Sequence, residues 1–195
     1  MENAGNAPWM KIAFREGRQW YGKKEAVIGK TDNYFKLLKG SAISKAYPSM
    51  VGTNSAWCAA FANYCLQQAG YQTVTAKDGY EIVRAKGFSR DAKNFKRIKA
   101  PAYGALALSG SHICFVAGCV NKTEFYRLGG NQNDKITIGI RDIKTHKFYL
   151  PFKYYNENRN VTSQNITFHR APIVSQSNIK VKGVFYEGRK TGSTR

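Results

Sequence analysis

Residues 57–66, WCAAFANYCL, constrain the fold of this chain more than any other segment. Apolar residues occupy most faces of a helix built from this segment, so we expect a helix over residues 55–69 that is buried in the centre of a domain. Asn54 or Ser55 is the candidate N-cap, and Gly70 is the candidate end. A helix of this kind needs a sheet or further helices to cover it on all sides.

Cys58 lies at the predicted start of this helix, where free backbone N–H groups and the positive end of the helix dipole favour a thiolate. A cysteine nucleophile also needs a base and a group that orients the base. His112, which follows a Gly-Ser turn at the start of a predicted strand, is the candidate base. Asn131 or Gln132, after the glycine pair 129–130, is the candidate orienting residue.

The other cysteines and histidines have structural interpretations. Cys65, Cys114 and Cys119 have apolar neighbours, which is typical of core thiols. Their spacing favours no disulfide, so a reduced state is expected. His146 lies in a basic segment and His169 lies on a late strand. The Cys and His spacings match no usual zinc pattern, so neither a metal nor another cofactor is expected.

The order of the predicted elements indicates an α+β fold, with helices first and an antiparallel sheet after them. A helix with proline in its first turn begins at Pro8 and includes Trp20. A short helix is predicted from Thr31 to Lys39, capped by Thr31 or Asp32 and ended by Gly40. Strands are predicted over residues 103–108, 113–120, 124–128, 135–140, 166–170 and 179–186, with a tight turn at 121–123.

We expect one domain, because the chain has 195 residues and neither an internal repeat nor a clear linker. Its catalytic part is predicted to span residues 1–172. Residues 141–163 are basic, rich in Tyr and Asn and weakly periodic, and are interpreted as an insertion or a long loop. Residues 173–195 are interpreted as a C-terminal strand and a basic tail of the same domain, frayed from residue 188.

The net charge of +19, from 31 Lys and Arg against 12 Asp and Glu, favours an anionic target. Nucleic acid, an acidic membrane or cell-wall surface and an acidic protein are the candidate classes. Basic residues alternate with Tyr and Phe over residues 142–155, as in some nucleic-acid-binding surfaces. No nucleic-acid-binding motif accompanies them, so no nucleic-acid partner is expected. A nucleic-acid-binding or protein-interaction module without catalysis is the alternative function.

The first eight residues, MENAGNAP, lack the basic and apolar regions of a secretory signal peptide. No apolar stretch approaches the roughly 20 residues that span a bilayer, so no transmembrane segment is expected. Synthesis in the cytoplasm is therefore predicted. Action outside it would require delivery by a secretion system or by cell lysis.

Six pieces of the chain together resemble the small CHAP-like proteins of bacteria and phages, which belong to the NlpC and CHAP class of papain-like peptidoglycan amidases. The resemblance runs in order from about residue 8 to residue 172. The pieces are PWM with EG (8–17), WCAAF with Asn63, Gly104, SH (111–112), LGGNQ (128–132) and HRAP (169–172). WCAAF and LGGNQ are the specific ones.

The resemblance implies a papain-like fold and cleavage of amide bonds in peptidoglycan through an acyl-enzyme on Cys58. It assigns His112 as the base and Asn131 as the third catalytic residue, with Gln132 as a substitute, and we add Trp57 and Tyr47 as supporting residues. Relatives usually have acidic residues where this chain has Ala105 and Asn54, which concerns local hydrogen bonds rather than the catalytic pair.

An anionic wall also gives the basic surface a function, since it would concentrate the enzyme there. The resemblance and the predicted lack of a signal peptide suit an antibacterial effector, such as one of type VI secretion, or a phage-type lysin. An effector of this kind would have an acidic immunity protein as its partner, captured rapidly by a protein of charge +19. Peptidoglycan and this immunity protein are therefore the expected partners.

Overall fold

The computed structural model describes residues 7–38, 42–52, 56–75, 80–161, 166–167 and 170–189. The helices are α1 Pro8–Gln19, α2 Glu25–Thr31, α3 Tyr34–Leu37, α4 Ala42–Ala46, α5 Cys58–Gln68, α6 Gly87–Arg90, α7 Phe152–Asn158 and α8 Gln176–Lys180. The strands are β1 Phe95–Ile98, β2 Leu106–Ser109, β3 His112–Cys119, β4 Glu124–Gly129, β5 Thr137–Asp142, β6 Lys147–Pro151, β7 Asn160–Val161, β8 Ile166–Thr167 and β9 Tyr186–Arg189.

Seven of these strands form one sheet in the order β1-β6-β2-β3-β4-β5-β9. Every neighbouring pair is antiparallel except β5 and β9, which are parallel. Strands β7 and β8 form a separate antiparallel pair. The chain therefore has the predicted α+β class, with a mostly antiparallel sheet. No helix in the described parts of the chain is both long enough and apolar enough to cross a membrane.

Helix α5 is the buried helix that its composition predicts, since every residue from Cys58 to Leu66 is buried. It packs on β3 and β4, where the ring of Phe61 lies 6.4 Å from the ring of Phe115. On β3, Phe115 stands opposite Leu128 of β4. Because side chains alternate along a strand, His112 and Cys114 lie on the other face from Ile113 and Phe115.

The start of α5 differs from the prediction. The helix begins at Cys58, and its N-cap is Trp57, which makes no side-chain capping bond. The predicted caps, Asn54 and Ser55, lie outside the described residues. Trp57 fixes this end instead, because its indole Nε1 donates to Glu25 Oε2 at 2.8 Å and its ring stacks on Tyr34. A tertiary hydrogen bond therefore positions Cys58, which the local sequence does not reveal.

Two motifs of the N-terminal helix connect it to the rest of the core. The indole of Trp9 donates to Gly104 O at 2.8 Å, and Gly104 has a φ of 77° that favours glycine. A Cβ on Gly104 would also collide with Ala7. The buried carboxylate of Glu16 accepts from the hydroxyl of Tyr34 at 3.0 Å. These contacts therefore involve two of the sequence pieces that carry the family resemblance, PWM with EG and Gly104.

The helix predicted from Thr31 to Lys39 is wrong in its bounds, because two helices occupy this region. Helix α2 ends at Thr31 and α3 begins at Tyr34. The N-cap of α3 is Asn33, whose side chain accepts from Phe35 N and Lys36 N and donates to Pro48 O at 3.0 Å. Asn33 thus caps a helix and anchors a loop at once. The predicted end, Gly40, lies outside the described residues.

The interpretation of residues 141–163 as a long loop is wrong for residues 141–161, the part of the segment that the structure describes, and the interpretation as an insertion stays a prediction. This segment contains β6, which lies inside the sheet between β1 and β2, and then α7. Phe148, Tyr149 and Leu150 are consecutive and all buried. A strand covered on both faces has no alternation of polar and apolar residues, so its pattern is not that of a half-buried strand. Its partner strand β1 has the sequence FKRI, in which polar and apolar residues do not alternate, and the sequence analysis does not predict it.

The predicted strand 179–186 is also wrong, because α8 occupies its first part. Ser175 caps α8 by accepting from Asn178 N at 3.2 Å. Strand β9 follows and includes Gly188 and Arg189, so the prediction of a frayed tail from residue 188 is wrong for these two residues. Arg189 is held by an ion pair with Glu124 at 2.8 Å. Residues 168–169, which include His169, and residues 190–195 lie outside the described residues.

Candidate active site

Cys58 lies at the first residue of α5 and lines a cleft of about 360 Å³. It is a free cysteine, 3% exposed, and its Sγ lies 3.9 Å from Ser111 O. Burial raises the pKa of the thiol, while the backbone N–H groups of Ile113, Ala59 and Cys58 lower it by a smaller amount. The sequence predicted a thiolate at this helix start; here desolvation outweighs the N–H groups, so the resting thiol is protonated.

His112 is the first residue of β3 and directly follows Ser111, the residue in contact with the Cys58 thiol. Burial, and next the guanidinium of Arg127, lower the pKa of His112 to about 3. The imidazole is therefore neutral at neutral pH and is able to accept a proton. No hydrogen bond joins its ring to Cys58 Sγ in the part of the chain that the structure describes. Catalytic hydrogen bonds are often long before substrate binds.

Gln132 is the residue that contacts the His112 ring. Its side chain, 3% exposed, donates through Nε2 to Thr137 O at 2.6 Å, to Thr137 Oγ1 at 2.9 Å and to Gly129 O at 3.1 Å. The amide oxygen Oε1 and His112 Nε2 are both buried, and neither makes a hydrogen bond within the described residues. The interaction with Gln132 opposes the lowering of the His112 pKa.

Asn131, the other candidate orienting residue, adopts a left-handed backbone conformation with φ 55°. Within the described residues its side chain makes no hydrogen bond with His112. The glycines before it are tightly packed, since a Cβ on Gly130 would collide with the Trp57 ring and one on Gly129 would lie 2.9 Å from Cys114 Cβ. The turn thus brings Gln132, and not Asn131, into contact with the imidazole.

The two supporting residues have different surroundings. Trp57 is fully buried and holds the start of α5 through Glu25. Tyr47 lines the cleft together with Cys58, and its ring stacks on Phe35 with centroids 4.9 Å apart. Both residues therefore lie beside Cys58, one beneath the helix start and the other in the cleft.

Arg127 is a member of the site that the sequence analysis missed. It is 2% exposed and lies 3.7 Å from Glu187, which is 4% exposed. Burial lowers the pKa of Arg127 to about 10. Its register partner on β3 is Val116, so it shares the sheet face of Cys114 and His112. The sequence signal for it is an arginine between apolar residues of a predicted strand.

The two shifted histidines make folding stability sensitive to acid. Burial, together with the guanidinium of Arg127, lowers the pKa of His112 to about 3 and the pKa of His146 to about 4. An unfolded histidine binds a proton near pH 6.5, so stability is fully present above that pH and is lost as the pH falls toward 4. Each histidine removes up to about 1.4 kcal/mol per pH unit. Urea unfolding at pH 7, 6, 5 and 4 measures this loss.

A histidine variant separates this effect from the titration of carboxylates. We expect His146→Gln to lose stability with falling pH less steeply than the wild type, because one of the two low-pKa groups is gone. The His146 ring packs edge-on against Phe125, with centroids 4.9 Å apart, so some stability is also lost at pH 7. Equal slopes in the variant and the wild type would contradict the assignment.

In the described parts of the chain, no group of three or more His, Cys, Asp or Glu side chains is arranged to hold a metal ion. Comparisons of the chain with protein-family models, with curated proteins and with solved structures find no match.

Proposed function

We propose that this protein is a papain-like cysteine hydrolase that cleaves amide bonds of bacterial peptidoglycan through an acyl-enzyme on Cys58. One observation carries the proposal. Cys58 occupies the first turn of a buried helix, against the residue that precedes His112, and the imidazole of His112 contacts the buried amide of Gln132. In the proposed roles these residues supply a nucleophile, a base and an orienting group, in the chain order of the family that the sequence resembles.

In the proposed first step, His112 Nδ1 removes the proton from Cys58 Sγ as the sulfur attacks the amide carbonyl carbon. Because the resting thiol and imidazole are both neutral, the charges form only as the bond forms. The oxyanion of the tetrahedral intermediate accepts from N–H groups at the start of α5, including that of Cys58 itself. Gln132 Oε1 accepts from Nε2–H and stabilises the imidazolium.

In the second step, the C–N bond breaks and the imidazolium gives its proton to the leaving amine. The acyl group of the substrate remains bound to Cys58 as a thioester. Water then attacks the thioester carbonyl while His112 accepts a proton from the water, and the carboxylic acid leaves as the thiol is restored. The net reaction is hydrolysis of one amide bond, with no oxidant, reductant or cofactor required.

Three observations support peptidoglycan as the substrate. The resemblance to CHAP and NlpC proteins rests on motifs whose residues form contacts here, such as Trp9 with Gly104. The net charge of +19 favours an anionic polymer. The α+β architecture, with a cysteine at the start of a helix packed on an antiparallel sheet, is compatible with a papain-like fold. The bond would lie in the stem or cross-link peptide, or join N-acetylmuramic acid to L-alanine.

We further propose that the enzyme acts on the wall of a target cell, reached by a secretion system or by lysis. In the effector case an acidic immunity protein would bind it, attracted by the same positive charge. The association rate of the immunity protein, measured at increasing salt concentration, tests this proposal. Electrostatic attraction makes that rate fall steeply as the salt concentration rises.

Digestion of purified sacculi tests the proposed function. Wild-type protein is expected to release soluble fragments that carry one new amine and one new carboxyl group for each bond cut. Mass spectrometry of these fragments identifies the bond. If sacculi remain intact while the protein binds nucleic acid in a salt-dependent way, independently of Cys58, the non-catalytic alternative is correct instead.

The third catalytic residue is tested by a matched pair of variants. We expect Gln132→Met, which keeps a similar shape but removes the amide, to lower kcat on labelled sacculi about 10- to 100-fold, because the imidazole loses its orienting contact. Asn131→Gly, which suits the positive φ, is expected to retain most activity. Thermal unfolding checks that both variants fold. The reverse order of activities would make Asn131 the orienting residue.

A further inference from the structure

The cleft beside Cys58 has a basic wall. Ten described residues line it, of which three are basic and none is acidic. The basic residues are Arg84, Lys86 and Arg90, which come from one short segment of the chain. The proposed steps at Cys58 and His112 do not use them.

One carboxylate holds two of these cations in place. Arg84 Nη1 and Arg90 Nη1 both donate to Glu81 Oε1, at 3.0 and 2.8 Å. The arginine side chains are 48% and 60% exposed, so a ligand in the cleft is able to reach them. With Lys86, the wall carries three positive charges against one negative charge, a net charge of +2.

The backbone that carries this wall is fixed to α5 and to the sheet. The buried side chain of Asn63, on α5, donates to Ile82 O at 2.7 Å and accepts from Val74 N at 2.9 Å. Phe88, between the basic residues, is fully buried and packs edge-on against Phe95, with centroids 5.0 Å apart. The cations therefore stand on a preorganised segment, which reduces the entropy that binding costs.

We propose that Arg84, Lys86 and Arg90 bind a carboxylate of the substrate peptide close to the amide bond that Cys58 attacks. The enzyme would then prefer acidic peptides over the same peptides with their carboxylates amidated. This inference rests on the proposed function. Arginine pairs with carboxylates through two parallel, charge-assisted hydrogen bonds, which gives specificity that a point charge does not. The cleft of about 360 Å³ holds only a few residues, so the recognised carboxylate lies near the scissile bond.

Paired substrates test this preference. Cross-linked muropeptide dimers with free stem carboxylates are compared with the same dimers after their carboxylates are converted to carboxamides with ammonia and a carbodiimide. For the wild type, we expect kcat/KM to be at least about 10-fold higher on the free dimers, which corresponds to about 1.4 kcal/mol. Arg90→Gln is expected to reduce this ratio, and the triple variant Arg84→Gln, Lys86→Gln, Arg90→Gln to bring it to about one.

A control variant excludes a general effect of charge. Arg97→Gln removes an exposed arginine from β1, outside the cleft, and is expected to keep the wild-type ratio. Equal kcat/KM for the two dimers in the wild type would overturn the proposal. Equal losses on both dimers in the cleft variants would also overturn it, since the cations would then act on the reaction and not on the carboxylate.

Binding measurements separate this proposal from the proposed function. If the wild type hydrolyses neither dimer, the proposed function fails, and calorimetry with the Cys58→Ala protein still tests the cleft. A Kd at least about 10-fold lower for the free dimer supports carboxylate binding. Equal affinity for the two dimers, or binding of neither, overturns it.

Discussion

Replacement of Cys58 by alanine is expected to reduce the hydrolysis of sacculi by at least about 10⁴-fold. Loss of the nucleophile removes nearly all of the rate acceleration of such a catalytic group. The base and the oxyanion site then have no attacking atom to assist. The fold should persist, since alanine keeps the helix and vacates only the volume of a sulfur atom. Release of dye from labelled sacculi measures the loss.

The matched control for this variant is Cys65→Ala, which lies seven residues further along the same helix, α5. Cys65 is also fully buried, and burial raises the pKa of its thiol well above its usual value. We expect this variant to lose stability but to keep its activity per folded molecule. If Cys58→Ala digests sacculi at more than about one-hundredth of the wild-type rate, or if Cys65→Ala is the inactive protein, Cys58 is not the nucleophile.

Replacement of His112 by alanine is the second large expected effect, with kcat reduced about 10²- to 10⁴-fold. The resting thiol is protonated because burial raises its pKa, so attack on the carbonyl depends on a base. His112 is neutral at the pH of the assay, so we expect it to be this base. The rate of sacculus hydrolysis at saturating substrate gives the effect.

Two further measurements separate a catalytic loss from a structural one. Added imidazole is expected to restore part of the activity of His112→Ala, since it supplies a proton acceptor in the vacated volume. His146→Gln, which alters another histidine with a lowered pKa, is expected to keep the wild-type rate at pH 7. A folded His112→Ala protein with undiminished kcat would exclude His112 as the base.

The sequence predicted the part of the fold that carries the candidate nucleophile. An apolar stretch as continuous as residues 57–66 has few alternatives to a buried helix, and the turn signals around β3, β4 and β5 bound those strands to within a few residues. The antiparallel pairing of β3 with β4 follows from the tight turn between them, while a register shift between Val116 and Gly118 sets Phe115 opposite Leu128. Local patterns were sufficient here because the contacts are themselves local.

Elements that depend on distant partners were predicted badly. Strand β6 has both faces covered and pairs with β1 and β2, which precede it by about 40 to 50 residues, so its own sequence alternates little. Strand β9 joins the sheet beside β5 in parallel, and no turn connects the two. Their places in the sheet follow from tertiary packing, which propensity and periodicity do not record.

The candidate site also has a part that local sequence patterns predict and a part that they do not. The first turn of α5 and the start of β3 follow from helix and turn signals, and both candidate orienting residues lie in the turn after β4. The choice between Asn131 and Gln132 does not follow from the sequence, because it depends on Thr137, whose backbone and hydroxyl hold the Gln132 amide. The basic wall of the cleft was missed since residues 83–90 form no recognisable motif.

Alkylation of Cys58 tests the central claim most directly. Native protein is treated with iodoacetamide for increasing times, and peptide mass spectrometry gives the modified fraction of each cysteine while the same samples are assayed on sacculi. Cys58 lines the cleft and is expected to react before the other cysteines. The account predicts that the lost activity equals the fraction of Cys58 alkylated. Full hydrolysis by protein whose Cys58 is alkylated, or activity lost while Cys58 stays unmodified, would contradict it.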